Sequence, residues 1–592
     1  MLNPPLPIPP VALMASTRRR VAISGVVGAV GLLWVLPFVW TEHRFPLASL
    51  DAELAAATCL AFALACCGLV ARADAQFGWR LPALLALLIT IGYLQLGLGQ
   101  LTYPLQAHRL ALFAAASLLG YMLGRQLVAL DLVANAVDVL ALAAIAGGTY
   151  SALIQWLQLF DLEWLPHGMA LILNDPMVRD RPFANLAQAN HLATYLGFAA
   201  LSALYCQSRT PRTLVALGLV GALLVLASGL AITGSRMGTL YALLLLAALV
   251  APTGLRPPAK WARALDALAL VTGYLVGVVA QRSMVVEVDA LARFGQDTLP
   301  IRIELWRQAL QISLQHPLLG IGVGQFPAAQ LWVAHQTPYT VPGNNAHNLL
   351  LQLAAEFGWP AAIAVVALAL WWCLGHLRSR LAGPQTALAL GMMMLIGIHS
   401  MLEFPLWHLY FAVPAALLFA IAEPQGSLAT RVDARRVLAA SGLAVLGVVL
   451  SLRVEYDAIV TAAEPIWLDA RHMRAKTAED SVGILLVADS RLFRPEAERL
   501  LLELKHPQDE KTAEPLLRSE RVLHMLAGPE VISQRILQLT RAGRIDEAIR
   551  YARRLPVFAG PNLSEYRDWI LDQTRDLGPQ TAPLRHVLRE AH

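Results

Sequence analysis

The chain has little charge. Only 15% of its 592 residues are Asp, Glu, Lys or Arg, whereas an ordinary soluble domain has about 25%. Hydrophobic residues make up 57% of the chain. They form long runs, many of about 17–25 residues, which is the length that crosses a bilayer as a helix. A transmembrane β-barrel would show short alternating segments instead. The composition therefore excludes a soluble globular class and predicts an all-α polytopic membrane protein.

Cysteine is also scarce. The five cysteines are Cys59, Cys66, Cys67, Cys206 and Cys373, and all of them lie in apolar runs. None has the CxxC spacing of a metal site. We therefore expect small buried hydrophobic side chains at these positions and no bound metal ion.

The excess of positive charge is modest. The net charge is +5, and it sits mostly in short loops, where it carries topology information rather than a nucleic-acid footprint. We expect no nucleic-acid partner. The first apolar run follows three arginines (residues 18–20) and is long enough to stay as a span instead of being removed as a signal peptide.

The apolar runs predict about thirteen transmembrane helices. Their approximate limits are 21–40, 53–71, 81–98, 109–129, 132–156, 190–207, 213–232, 237–252, 264–280, 347–374, 386–402, 407–422 and 436–452.

The orientation of these helices follows from basic residues in the short loops. They are Arg18, Arg19, Arg20, Arg72, Arg80, Arg125, Arg209, Arg212, Arg256, Lys260, Arg263, Arg378, Arg380, Arg431, Arg435 and Arg436. If the thirteen spans alternate, all of these loops lie on one side, which the positive-inside rule makes the cytoplasm. Residues 1–20 then form a cytoplasmic N-terminal extension, and its Pro-rich start is predicted to be disordered.

The opposite side carries the large polar segments. Within the transmembrane domain (21–452) these are the loops 157–189 and 281–346, and a soluble helical domain follows at 453–592. In that domain "VISQRILQLTRAGRIDEAIRYARRL" (531–555) predicts two amphipathic helices broken near Gly543. This stretch resembles half of a tetratricopeptide-type repeat, and a small helical bundle is the alternative.

Three basic residues on the outer side are candidates for a site. Arg236 ("ITGSRMGTL") lies where span seven meets span eight, Arg302 ("PIRIELWRQAL") lies in the large loop, and His347 ("NNAHNLLLQ") ends that loop. Each has a structural alternative: Arg236 can snorkel to the interface, Arg302 can be solvated on a surface helix, and His347 can cap a helix. Spacing does not distinguish Arg302 from Arg307.

Together the three residues suit an anionic lipid head group. Arginine pairs bidentately with phosphate oxygens, and a departing diphosphate needs its charge stabilised. A neutral histidine can take a proton from a weak nucleophile such as an alcohol. The set therefore predicts transfer of a glycan from a lipid diphosphate to a hydroxyl.

This arrangement resembles the O-antigen ligase superfamily of polytopic glycosyltransferases. Its members have an arginine in a short outer loop, another in a large periplasmic loop, and a histidine that closes that loop. Here "GSRMG", "IRIELW" and "AHNLLLQLAAEFG" stand in those places, and "GIGVGQF" (320–326) also matches. Two further stretches, "RDRPFANLAQANHLATYL" (179–196) and "HSMLEFPLWH" (399–408), are similar to the branch of protein O-oligosaccharyltransferases of the pilin-glycosylating PglL type.

The resemblance implies a GT-C-like fold in the inner membrane of a Gram-negative bacterium, with the active site facing the periplasm. It implies en bloc transfer of an oligosaccharide from undecaprenyl diphosphate to Ser or Thr of periplasmic proteins such as pilins, by inverting displacement without metal or cofactor. The implied roles are pyrophosphate binding by Arg236 and Arg302, activation of the acceptor by His347, and lining of the substrate path by Arg181, Asn190 and His191, with Glu403 as a partner of one arginine or a loop cap.

Three alternatives remain open from the sequence. A ligase that joins O-antigen to lipid A-core uses the same donor and chemistry, and an O-antigen polymerase extends the glycan on its own carrier. A lipid-oligosaccharide flippase is a different class, whose charges would lie near the bilayer midplane.

Overall fold

The structure is a computed structural model. It describes residues 10–44, 46–160, 181–186, 188–210, 212–251, 254–284, 298–334, 343–378, 383–424, 429–431, 434–472, 492–503 and 513–590. Parts of both predicted periplasmic loops and the Pro-rich start (residues 1–9) lie outside the described residues.

The described residues up to His472 are mostly helical. The helices are α1 (Pro10–Leu33), α2 (Leu36–Val39), α3 (Leu50–Val70), α4 (Arg80–Gly97), α5 (Pro104–Ala129), α6 (Val133–Leu159), α7 (Ala189–Arg209), α8 (Thr213–Ile232), α9 (Arg236–Val250), α10 (Lys260–Met284), α11 (Thr298–Gln315), α12 (Phe326–Val333), α13 (Leu349–Phe357), α14 (Trp359–Arg378), α15 (Pro384–Ser400), α16 (Leu409–Ile421) and α17 (Arg435–His472).

The predicted all-α membrane class is confirmed. Each predicted apolar run falls mainly on one helix or, for 21–40 and 347–374, on two consecutive helices. In the part of the chain that the structure describes, nine helices are long and apolar enough to cross a membrane, and two shorter apolar helices are α9 and α16. The count of thirteen spans stays a prediction. The cysteine prediction holds only in part, because Cys59 and Cys67 are buried whereas Cys373 is exposed.

Three boundaries differ from the prediction. Helix α1 begins at Pro10, so the end of the N-terminal extension is helical. The predicted span 347–374 is two helices, because the chain turns at Gly358 with φ +84°, and a Cβ there would lie 2.3 Å from the Leu318 carbonyl oxygen. Helix α17 continues unbroken through the predicted boundary at 453.

A short antiparallel ribbon is the only β structure among the described residues. Strands β1 (Gln76–Gly78) and β2 (Ala429–Arg431) pair Phe77 with Thr430. The all-α prediction missed this ribbon, because segments of three residues are too short to show an alternating pattern.

The C-terminal part is a set of short helices with its own core. These are α18 (Arg494–Glu503), α19 (Glu514–Met525), α20 (Pro529–Arg541), α21 (Ile545–Ala552), α22 (Leu555–Ala559), α23 (Leu563–Gln573) and α24 (Ala582–Glu590). The predicted pair of helices in 531–555 is present, and Gly543 between them has φ +74°. We call residues 492–590 the C-terminal helical unit. Its core cluster also takes in Leu331 and Ala334 from the end of α12.

Candidate active site

Glu403 is the centre of a cluster drawn from four separate segments. It follows α15, and its carboxylate is almost fully buried. Arg302 Nη2 and Asn190 Nδ2 donate hydrogen bonds to Oε1 at 2.8 and 2.9 Å. His347 Nδ1 donates to Oε2 at 2.6 Å. One carboxylate therefore brings together three residues that the sequence places in different loops and helices.

The backbone around Glu403 explains how its carboxylate reaches these partners. The amide nitrogens of Leu402 and Glu403 both donate to the carbonyl of His399, at 3.0 and 2.8 Å. This tightens the end of α15 into a turn. The next residue, Phe404, meets the His347 ring edge to face, with the ring centroids 5.6 Å apart. The turn thus presents the carboxylate to His347 and supports the imidazole from a second direction.

His347 has an unusual backbone conformation. Its φ is +49°, in the left-handed region that non-glycine residues rarely adopt. The Asn345 side chain accepts from the His347 amide nitrogen at 2.9 Å. Asn348 then caps α13 by accepting from the Leu350 and Leu351 amides, each at 3.1 Å. The histidine is therefore held just before the cap of α13, with 28% of its side chain exposed.

Asn190 connects the Glu403 cluster to the predicted residue Arg181 and to Ser235, which precedes the predicted residue Arg236. Its Oδ1 accepts from Ser235 Oγ at 2.8 Å and from Arg181 Nη2 at 3.1 Å. Ser235 is the N-cap of α9 and accepts from the Met237 amide. Arg236 is the first residue of α9 and follows Ser235 directly in the chain, so its backbone is one residue away from a contact of Asn190.

The charge state of Glu403 follows from its surroundings. Burial raises the pKa of the carboxyl group, but the hydrogen bond from His347 and the charge of Arg302 outweigh burial, so the pKa lies below its ordinary value. Glu403 is therefore an acceptor-only carboxylate at neutral pH. Because a carboxylate cannot donate, Nδ1 of His347 is the donor in this contact, and in the neutral tautomer that has its proton on Nδ1 the Nε2 atom is an acceptor.

The structure distinguishes Arg302 from Arg307. Arg307 is on the same helix, but its side chain is 68% exposed and pairs with Glu304 at 3.1 Å. Only 27% of the Arg302 side chain is exposed, and it contacts Glu403. Arg302 is thus the arginine of α11 that belongs to the cluster.

His191 faces a neighbouring network and not Glu403. A 2.9 Å hydrogen bond joins its Nδ1 to the Tyr410 hydroxyl, and its ring meets those of His399 and His408 edge to face, with centroids 5.4 and 4.7 Å away. His408 in turn contacts Glu53 at 3.2 Å. Although Asn190 and His191 are adjacent in sequence, only Asn190 reaches the cluster.

Sequence reasoning missed the two histidines that flank Glu403. His399 shares a 2.9 Å hydrogen bond with Thr194, and Thr194 also contacts Tyr241 at 3.2 Å. The signal was the spacing in "HSMLEFPLWH", where both histidines bracket the acid. Across the part of the chain that the structure describes, no group of three or more His, Cys, Asp or Glu side chains could hold a metal ion. The expectation of a metal-free reaction stays a prediction.

Three known families match this chain. Residues 182–205 match the protein glycosylation ligase family, residues 221–366 the O-antigen ligase family, and residues 387–560 the C-terminal part of the virulence factor membrane-bound polymerase family. Asn190 lies in the first match, Arg302 and His347 in the second, and Glu403 in the third. The cluster is therefore assembled from all three matched regions.

A curated relative gives the same indication. The general O-oligosaccharyltransferase of Acinetobacter baylyi (strain ATCC 33305 / BD413 / ADP1) is 26% identical over 329 residues, which cover 53% of this chain and 55% of the relative. The chain thus spans about half the length of that relative. The predicted resemblance to the O-antigen ligase superfamily, and within it to protein O-oligosaccharyltransferases, is confirmed.

Proposed function

We propose that this protein transfers an oligosaccharide en bloc from undecaprenyl diphosphate to Ser or Thr hydroxyls of periplasmic proteins such as pilins. The observation that carries the proposal is the Glu403 carboxylate, which contacts both Arg302 and His347. One carboxylate thereby holds together a guanidinium, which suits a phosphate, and an imidazole, which suits the proton of an alcohol.

The arginines provide for the donor. Arg302 donates one N–H to Glu403, and its guanidinium has four more donors in a planar fork. With 27% of its side chain exposed, Arg302 can bind a phosphate oxygen while keeping the contact with Glu403. Arg236, which follows the Asn190 contact Ser235 in the chain, is proposed to supply a second positive charge. Both charges stabilise the diphosphate as its bond to the sugar breaks.

His347 provides for the acceptor. Nε2 takes the proton of the Ser or Thr hydroxyl as the oxygen attacks the anomeric carbon. The new C–O bond forms on the face opposite to the bond that breaks, so the configuration inverts, and the electron pair leaves with undecaprenyl diphosphate. The Glu403 carboxylate stabilises the resulting imidazolium and fixes its orientation, as the acid does in a nucleophile–histidine–acid triad. The imidazolium then returns its proton to water.

The same proposal places the site at the outer face of the inner membrane of a Gram-negative bacterium. With a cytoplasmic N-terminus and thirteen spans, the loops 157–189 and 281–346, the site and the C-terminal helical unit all face the periplasm. The donor's polyprenyl chain stays in the lipid while the acceptor arrives from water, which suits a site at that border.

A reporter fused after residue 460 tests this topology. We expect alkaline phosphatase to be active at that position and a cytoplasmic reporter such as green fluorescent protein to be dark, because α17 would leave the membrane on the periplasmic side. A matched fusion after Arg256, between α9 and α10, should give the opposite pattern. If both positions report the same side, the number of spans between them is wrong.

A second candidate activity is polymerisation of the glycan on its lipid carrier. It is favoured by the match of residues 387–560 to the membrane-bound polymerase family. The donor chemistry is unchanged, and only the attacking hydroxyl differs, because it belongs to another glycan.

Mass spectrometry of periplasmic proteins tests the proposed function. In cells that make a lipid-linked glycan, we expect Ser- or Thr-linked oligosaccharide on periplasmic proteins when this chain is present and none when it carries Arg302→Ala. Longer glycans on the lipid carrier, with unmodified proteins, would favour the polymerase instead.

A further inference from the structure

Helix α12 lies between the site and the C-terminal helical unit, and Gln330 is its residue on the site side. The Gln330 side chain is completely buried. Its Nε2 donates to Gln308 Oε1 at 3.0 Å, and its Oε1 accepts from the Gly343 amide at 2.9 Å. One amide group therefore bridges helix α11 and the segment that leads to His347.

Both partners of Gln330 lead directly to the site. Gln308 follows Arg302 by six residues on α11, or about 9 Å along the helix axis. Gln308 Nε2 also donates to Glu304 at 3.2 Å, one turn closer to Arg302. Gly343 precedes His347 by four residues. A change at Gln330 therefore bears on both α11, which carries Arg302, and the segment from Gly343 to His347.

The other side of α12 is held by the C-terminal helical unit. Leu331 is completely buried in the core of that unit. Gln325, just before α12, contacts His524 at 2.6 Å, and the rings of Trp332 and Tyr551 meet with centroids 5.4 Å apart. Neighbouring residues of one short helix thus face the site on one side and the C-terminal unit on the other.

We propose that Gln330 is a positioning residue for glycan transfer, and that through it the C-terminal helical unit sets the placement of Arg302 relative to His347. This inference rests on the proposed function. Its physical basis is that an error of about 1 Å between reacting groups costs about 10²-fold in rate. Because Arg302 and His347 come from different segments, a contact that joins both segments is needed to keep their distance within that tolerance.

The test uses the full-length protein in proteoliposomes that contain a lipid-linked glycan and a Ser-containing acceptor. Gln330→Leu keeps the side-chain size but removes both hydrogen bonds. We expect kcat to fall about 10–100-fold with the KM for donor changed little, since both arginines remain. Hydrogen–deuterium exchange should rise in α11 and in residues 343–348. Gln315→Leu, at the exposed end of α11, is the matched control and should change neither kcat nor exchange.

A reversal of the hydrogen-bond direction provides the rescue. In the double variant Glu304→Gln with Gln330→Glu, the new carboxylate accepts from Gly343 and from a rotated Gln308 amide, and the new amide at 304 donates to Gln308. We expect the double variant to regain most of the kcat, and most of the protection from hydrogen exchange, that Gln330→Leu loses. Gln330→Glu alone should regain neither. Gln308 would then lie between two carboxylates, and its NH2 group can face one of them only if its carbonyl oxygen faces the other.

The outcomes separate this inference from the proposed function. Unchanged exchange in both segments of Gln330→Leu would overturn the positioning role, and so would raised exchange with unchanged kcat. Wild-type protein that transfers no glycan would overturn the proposed function, while the exchange comparison would still show whether Gln330 holds the two segments.

Discussion

Replacing Arg302 by alanine is expected to reduce glycan transfer by about 10³-fold or more. Arginines that stabilise charge on a reacting phosphate are worth about 10³–10⁵ in rate, and the alanine variant also leaves the buried Glu403 carboxylate without its guanidinium partner. The rate should be measured in proteoliposomes with a labelled lipid-linked glycan, and the amount of protein in the membrane should be measured in parallel.

Arg307→Ala is the matched control for this experiment. It removes the same side chain from the same helix, but one that is 68% exposed and paired only with Glu304 in its described contacts. Its rate should stay near that of the wild type. Arg302→Lys keeps the charge without the planar fork and should recover only a small part of the rate. If Arg302→Ala and Arg307→Ala lowered the transfer rate equally, the net positive charge of α11 would matter and not the contact between Arg302 and Glu403.

Replacing His347 by alanine is expected to reduce turnover by about 10²–10⁴-fold, the range for general acid–base groups. The affinity for the lipid donor should change little, since Arg302 and Arg236 remain. Added imidazole should restore part of the rate, because it can accept the acceptor's proton in the space that the side chain leaves. His316→Ala, at an exposed histidine after α11, should behave as the wild type.

The companion variant Glu403→Gln separates the two roles of the carboxylate. An amide at 403 can no longer stabilise an imidazolium, so turnover should fall, and added imidazole should not restore it, because His347 still fills its place. If His347→Ala lost donor affinity together with turnover and did not respond to imidazole, the histidine would serve the fold of the loop and not the chemistry.

The sequence predicted the parts of this molecule that depend on local pattern. Long apolar runs became helices because a chain in lipid must satisfy its own backbone hydrogen bonds. The break at Gly358 was hidden inside one of these runs, because the positive φ depends on a close approach to Leu318, which is distant in sequence.

The sequence could indicate which residues belong to the candidate site but not how they contact one another. Arg302 and His347 could be proposed from their chemistry, but the choice between Arg302 and Arg307 needed the packing of α11. The central position of Glu403 could not be read either, since its partners are 56, 101 and 213 residues away. Asn190 and His191 show the same limit, because consecutive residues of one helix point in different directions.

The left-handed backbone conformation of His347 costs folding free energy at a position where the proposed reaction needs an imidazole. A left-handed φ costs a non-glycine residue about 1–2 kcal/mol, and glycine adopts it without that cost. His347→Gly would relieve this strain, but it would also remove the 2.6 Å hydrogen bond to the buried Glu403 carboxylate, a loss of about 1–3 kcal/mol. Because the two effects are of similar size, selection for thermal tolerance alone would exert little pressure to keep the imidazole, and a useful selection has to reward the glycosylated product.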